Sequence, residues 1–128
     1  MKDCLFCKIA NGDIPSKTIY EDELVRVFLD INPVSDGHCL IIPKKHYENF
    51  LDVEDEILTH SREVAKKVYE LLKEKLNIDG LTIVQNNMYG QEVKHYHIHL
   101  IPRYKDDEIE MKRQKDKLDI DEIFNKLN

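Results

Sequence analysis

Alternation of apolar and polar positions dominates the first third of the chain. Thr18-Ile-Tyr20 and Val25-Arg-Val-Phe-Leu-Asp-Ile31 read as two strands joined by the polar turn Glu21-Asp-Glu23. In the second strand Val25, Val27, Leu29 and Ile31 fall on one side, and Arg26, Phe28 and Asp30 on the other. Asn32-Pro33 ends it, Ser35-Asp-Gly37 turns the chain, and His38-Cys-Leu-Ile-Ile42 returns as a third strand stopped by Pro43. Between Glu54 and Leu76 the period becomes helical. Ile57, Val64, Val68, Leu71 and Leu72 line one side, widened by Leu58, Ala65, Tyr69 and Leu76, over about six turns. Asn77 and Gly80 supply the stop, and Leu81-Thr-Ile-Val84 and His95-Tyr-His-Ile-His-Leu-Ile101 resume strand patterning around the loop Asn86–Gln91. Strands, one long helix, then strands predict an α+β domain with an antiparallel sheet of about five strands. Residues 1–104 form that unit. The extension 105–128 is charged until Leu118, Ile120, Ile123, Phe124 and Leu127, which read as one or two amphipathic helical pieces.

Composition narrows the class. At 128 residues and 15.2 kDa the chain suits one buried core, and 41% hydrophobic residues with only four Gly and four Pro describe a globular protein. A net charge of −6 disfavours sequence-blind binding to nucleic acid or an anionic membrane, while leaving room for a local pocket that holds one phosphate. No apolar run approaches the roughly 20 residues of a membrane span, and no secretory signal opens the chain, which points to the cytoplasm. Three cysteines are an odd number and argue for reduced thiols. Cys4-x-x-Cys7 suits both a chelating turn, with two sulfurs on one metal, and a redox pair.

The densest chemistry is histidine. Of six, three stand at His95, His97 and His99, an alternation that on a strand puts the imidazoles on one face and Tyr96, Ile98 and Leu100 on the other. A polar surface strand would give the same alternation, and so would a metal chelate, though same-face residues about 6.6–6.8 Å apart fan outward and seldom converge on one ion.

The segment His95–Ile101 resembles the signature of the histidine triad (HIT) family of nucleotide hydrolases and transferases. Cys4-Leu-Phe-Cys-Lys-Ile9, Gly12-Asp-Ile-Pro15, Tyr20-Glu-Asp-Glu23, Phe28-Leu-Asp-Ile-Asn-Pro33, Gly37-His38, Ile42-Pro-Lys-Lys-His46 and Gly90-Gln91 extend the likeness to the bacterial, Hint-like branch. The resemblance implies a HIT-like fold with a short N-terminal helix, a purine nucleotide substrate and a homodimer. It also implies attack by His97 on an α-phosphate, forming a nucleotidyl-imidazole that water hydrolyses to the mononucleotide. An imidazole with the ordinary pKa near 6.5 is roughly three quarters neutral at pH 7, so such a nucleophile needs no separate base. If Nδ1–H of His97 donates to a backbone carbonyl, Nε2 keeps its lone pair free.

By the same resemblance His99, His38, Asn86 and Gln91 surround the phosphate. One departure from the family pattern is a loop from Asn86 to Gln91 about two residues short; another is Glu92, which stands where many relatives place Ser or Thr. Glu92 either turns outward while its N–H still donates, or repels highly anionic substrates. Asp30 and Phe28, on one face, suit a ribose diol and a base, and the resemblance adds Phe6, Ile9 and Ile14 as pocket walls. A structural zinc would need two ligands besides Cys4 and Cys7; metal-bearing relatives imply His46 and His95. Cys39 and His60 are bystanders on this reading. Three functions stay open: a phosphoramidate or dinucleoside polyphosphate hydrolase, a nucleotide-binding regulatory module, and a zinc-scaffolded interaction protein. The complete triad with Asp30 favours the enzyme.

Overall fold

The computed structural model describes residues 3–128. Its elements are α1 (Leu5–Asn11), β1 (Thr18–Glu21), β2 (Val25–Leu29), β3 (Cys39–Pro43), α2 (Asp55–Leu76), β4 (Gly80–Val84), β5 (Ile98–Arg103) and α3 (Ile120–Leu127). The five strands form one antiparallel sheet in the order β1-β2-β3-β5-β4. The α+β expectation therefore holds, with α1 as the short N-terminal helix and α2 as the long one.

Each face of the sheet buries a different set of side chains. Alternation along β2, β3 and β5 sends Val25, Val27, Cys39, Ile41, Ile98 and Leu100 to one face, where Ile57, Val64, Ala65, Val68 and Leu72 of α2 cover them. The wide apolar stripe of α2 is thus largely spent inside the chain. On the other face Phe28, Leu40 and Ile42 pack under Phe6, Ile9 and Ala10 of α1. Register carries this second face to the site: Phe28 pairs with Leu40, and Leu40 with His99, so the three side chains stand in one row across β2, β3 and β5.

Several boundaries differ from the sequence expectation. β2 ends at Leu29, and Ile31 lies in the following loop, 91% exposed, because the chain bends at Asp30 where the carboxylate Oδ1 accepts from Asn32 N–H at 2.8 Å. β5 begins only at Ile98, so His95 and His97 belong to the segment entering the strand. Asn77 alone stops α2, in the left-handed conformation (φ 54°), and Gly80 opens β4. The extension contains one helix, α3, with no buried residue. Gly37 has a positive φ of 93°, so the turn into β3 favours glycine, and it packs close under the Leu76 side chain. Ser35 Oγ donates to Pro102 O at 2.6 Å and Tyr104 OH to Asp36 O at 2.8 Å, anchoring that turn to the end of β5. None of the described helices is long and apolar enough to cross a membrane.

Candidate active site

A cavity of about 540 Å³ opens on the α1 face of the sheet. Phe6, Ile9, Ile14, Phe28 and Leu40 form its apolar end; Asp30, His38, His97, His99, Asn86 and Glu92 bring polar groups. Phe6 stands edge-on to both Phe28 and His97, with ring centroids 5.7 and 4.9 Å apart, and so wedges the His97 ring in place.

Hydrogen bonds fix where the imidazole protons lie. His97 is buried, and its Nδ1–H donates to the main-chain oxygen of His95 at 2.7 Å, which leaves the Nε2 lone pair free. At His38 the arrangement is opposite. Val34 N–H donates to His38 Nδ1 at 3.0 Å, so the ring proton sits on Nε2 and donates to His99 Nδ1 at 2.9 Å. His99 must then carry its own proton on Nε2. Asp30 Oδ2 lies 3.5 Å from His38 Nε2 and brings its negative charge beside that ring. The site thus offers one free lone pair and one N–H donor, on rings whose centroids lie 5.0 Å apart.

Burial keeps these rings neutral. It holds the imidazole pKa values of His38 and His97 below the ordinary value, against the opposing pull of Asp30, and takes His99 down to about 4, helped by its histidine neighbours.

Behind His97 lies a second cluster. Cys4, Cys7, His46 and His95 bring their ligand atoms within 4.8 Å of one another. His95 Nδ1 faces Cys4 Sγ at 3.4 Å and Cys7 Sγ at 3.5 Å, and His46 Nδ1 faces Cys7 Sγ at 3.3 Å. His95 Nε2–H donates to Pro43 O at 2.8 Å, which turns the Nδ1 lone pair toward the sulfurs. In a tetrahedral site with ordinary Zn–S and Zn–N bonds, sulfur and nitrogen lie about 3.5 Å apart. Donor set and spacing both fit zinc.

Some expected contacts are not made. Gln91 is buried away from the cavity: Oε1 accepts from Met88 N–H at 2.8 Å and Nε2–H donates to Glu48 O at 2.6 Å, so its amide holds the loop. Its neighbour in that loop, Asn87, accepts from Phe50 N–H and bonds Gln85, which further ties the loop down. His60 is no bystander in packing. Its Nε2 bonds Asp22 Oδ2 at 2.7 Å, tying the β1–β2 turn to α2, and burial of Asp22 is outweighed by bonds from Tyr20, Val25, Leu24 and His60, which hold its carboxyl at about 2. Cys39 is fully buried and burial pushes its thiol up to about 12, so it is inert. The Val34 N–H and the Pro43 and His95 carbonyls, which set the ring protons, are main-chain groups that residue types do not announce.

The HIT domain model matches residues 11–106. An uncharacterized HIT-like protein of Methanocaldococcus jannaschii is 49% identical over 97% of this chain and 98% of its own length. The adenosine 5'-monophosphoramidase HNT1 of Saccharomyces cerevisiae is 42% identical over 78% of this chain, which spans 62% of that protein. Among solved structures, a zinc-bound histidine triad family protein of Mycobacterium smegmatis superposes with a TM-score of 0.81 at 36% identity, covering 90% of this chain and 85% of that one. The chain belongs to the HIT family.

The depressed histidines make stability depend on pH. The unfolded chain protonates His38 and His99 near pH 6.5, whereas the folded chain resists until about pH 4 at His99. Between those values the unfolded state binds more protons, so stability falls as pH drops through the window. Denaturant midpoints measured from pH 7 to 4 should decline, and less steeply in His99→Asn; an equal slope in that variant would contradict the assignment.

Proposed function

We propose that this protein is a nucleotide hydrolase that cleaves at the α-phosphate of purine nucleoside phosphoramidates or dinucleoside polyphosphates, with His97 as nucleophile, and releases a nucleoside monophosphate. The observation that carries the reading is the 2.7 Å bond from His97 Nδ1 to the His95 carbonyl, which leaves a neutral ring with Nε2 free at a cavity of about 540 Å³ that has an apolar end and the Asp30 carboxylate in its lining. The phosphoramidase activity in the name of the yeast relative supports the same class.

The base lies among Phe6, Ile9, Ile14 and Phe28, and the Asp30 carboxylate accepts from the ribose hydroxyls. His97 Nε2 bonds to phosphorus while the bond from phosphorus to the leaving group breaks; a leaving amine takes a proton from water at the cavity mouth. Water then adds to phosphorus, Nε2 departs with its electron pair, and the water's proton returns to solvent. His99 Nε2–H and the Asn86 amide donate to the non-bridging oxygens, where charge accumulates. His38 positions His99 by fixing its tautomer. Gln91, turned into the loop, is left out of this scheme. His97→Ala should lose turnover of an adenosine phosphoramidate by several orders of magnitude and still bind AMP in calorimetry, since the walls at Phe28 and Asp30 remain. Ordinary turnover in that variant would overturn the mechanism.

The reading also assigns a structural zinc to Cys4, Cys7, His46 and His95. With four protein ligands it leaves no open position; bound there, zinc cross-links α1 to the segment that carries His97. Such sites contribute on the order of 10 kcal/mol to folding. Cys4→Ser or chelation should lower the melting temperature markedly, and elemental analysis should find about one zinc per chain; protein purified without added chelator and free of zinc would refute the assignment.

We take the chain as a cytoplasmic homodimer. Three free thiols suit a reducing compartment. Half-exposed Leu76 and Tyr69 on α2, with Ile83 on the edge strand β4, leave apolar surface for a second copy. Sedimentation at micromolar concentration should give twice the chain mass; a monomer would contradict this.

A further inference from the structure

We propose that Glu92 acts as a charge filter on the leaving group, favouring neutral or cationic amines at the α-phosphorus and disfavouring polyphosphates; this rests on the hydrolase reading above. The main chain around Glu92 is held in place. Gln91 before it is clamped at both ends of its amide, and Gly90 has a positive φ of 94°. The Glu92 side chain is exposed, lines the cavity that contains His97, and has no ion-pair partner among the described residues. Lys94, the nearest cation in sequence, donates to Met88 O instead.

Position makes this carboxylate a gate. A nucleoside seated on Phe28 and Asp30 fills the end of the cavity under α1, which leaves the wall of Asn86, Gly90, Glu92 and Val93 for whatever lies beyond the α-phosphate. Glu92 and Val93 also border an adjoining cavity of about 630 Å³, where the carboxylates of Asp3, Glu48, Asp52 and Glu92 outnumber the single ammonium of Lys94. A leaving group directed there meets negative charge. Inside one partly solvated cavity, a pair of like charges changes an affinity or rate by about tenfold.

The test compares kcat/KM for adenosine 5'-phosphoramidates of propylamine, diaminopropane and β-alanine, together with diadenosine triphosphate, in wild type, Glu92→Gln and Glu92→Lys. Wild type should prefer the diaminopropane over the β-alanine compound by about tenfold or more, with diadenosine triphosphate disfavoured as well. Glu92→Gln should shrink both preferences to within about threefold, and Glu92→Lys should reverse them. Ratios unchanged in both variants would overturn the filter while leaving the hydrolase intact. Should wild type turn over none of these compounds, the hydrolase reading falls, and calorimetry with AMP and ADP judges the filter alone: Glu92→Gln should raise the affinity for ADP relative to AMP by about tenfold, and an unchanged ratio overturns it.

Discussion

Much of this protein hangs on the peptide carbonyl of His95. That oxygen accepts Nδ1–H of His97 and thereby decides which nitrogen of that ring keeps a lone pair. Its own residue is held from two further directions, by the sulfurs of Cys4 and Cys7 at Nδ1 and by Pro43 O at Nε2. A fully buried imidazole with both nitrogens engaged cannot rotate without losing bonds that water is not there to replace. The Cys/His cluster is consequently a positioning device for the cavity as well as a clasp on α1. Loosening it would shift a carbonyl on which the orientation of the next histidine but one depends.

The sheet explains how such a device is afforded in a small chain. One face holds the larger core under α2, so the fold does not need the other face for most of its hydrophobic stabilisation. The α1 face can then devote positions to chemistry, with apolar Phe28 and Leu40 leading across the ladder to His99. Alternation is what separates the two roles: Tyr96, Ile98 and Leu100 anchor the same segment in the main core while the histidines between them look the other way.

This division is also why so much was legible in the sequence. Period-two patterning marked β2, an apolar run ending at Pro43 marked β3, period 3.6 marked α2, and the interleaving of His with Tyr96, Ile98 and Leu100 marked a segment with one face in the core and one at the site. What escaped was set by the main chain. Asp30 is a residue type that bonds the main chain two residues on, but the alternation running through Ile31 masked that turn, and nothing in residue type signals that the ladder on β5 starts only at Ile98. Gln91 shows the same limit from the other side. An amide is an equally good phosphate donor and loop clamp, and which it becomes depends on the Glu48 carbonyl and Met88 N–H, groups every residue carries.

The electrostatic design follows from keeping imidazoles uncharged in a buried site. Charged rings would bind a phosphate more tightly, but a protonated His97 would have no lone pair to offer, and adjacent charged rings would repel. Direction therefore replaces charge. The chain from Val34 N–H through His38 to His99 ends in a single N–H on His99 Nε2, while His97 presents the opposite polarity on the neighbouring ring. With the rings neutral, full charges at the cavity are left to Asp30, Glu92 and the peripheral Lys17. Hydrogen-bond direction can then govern chemistry at the phosphorus, while the few carboxylates govern which charged groups come near it.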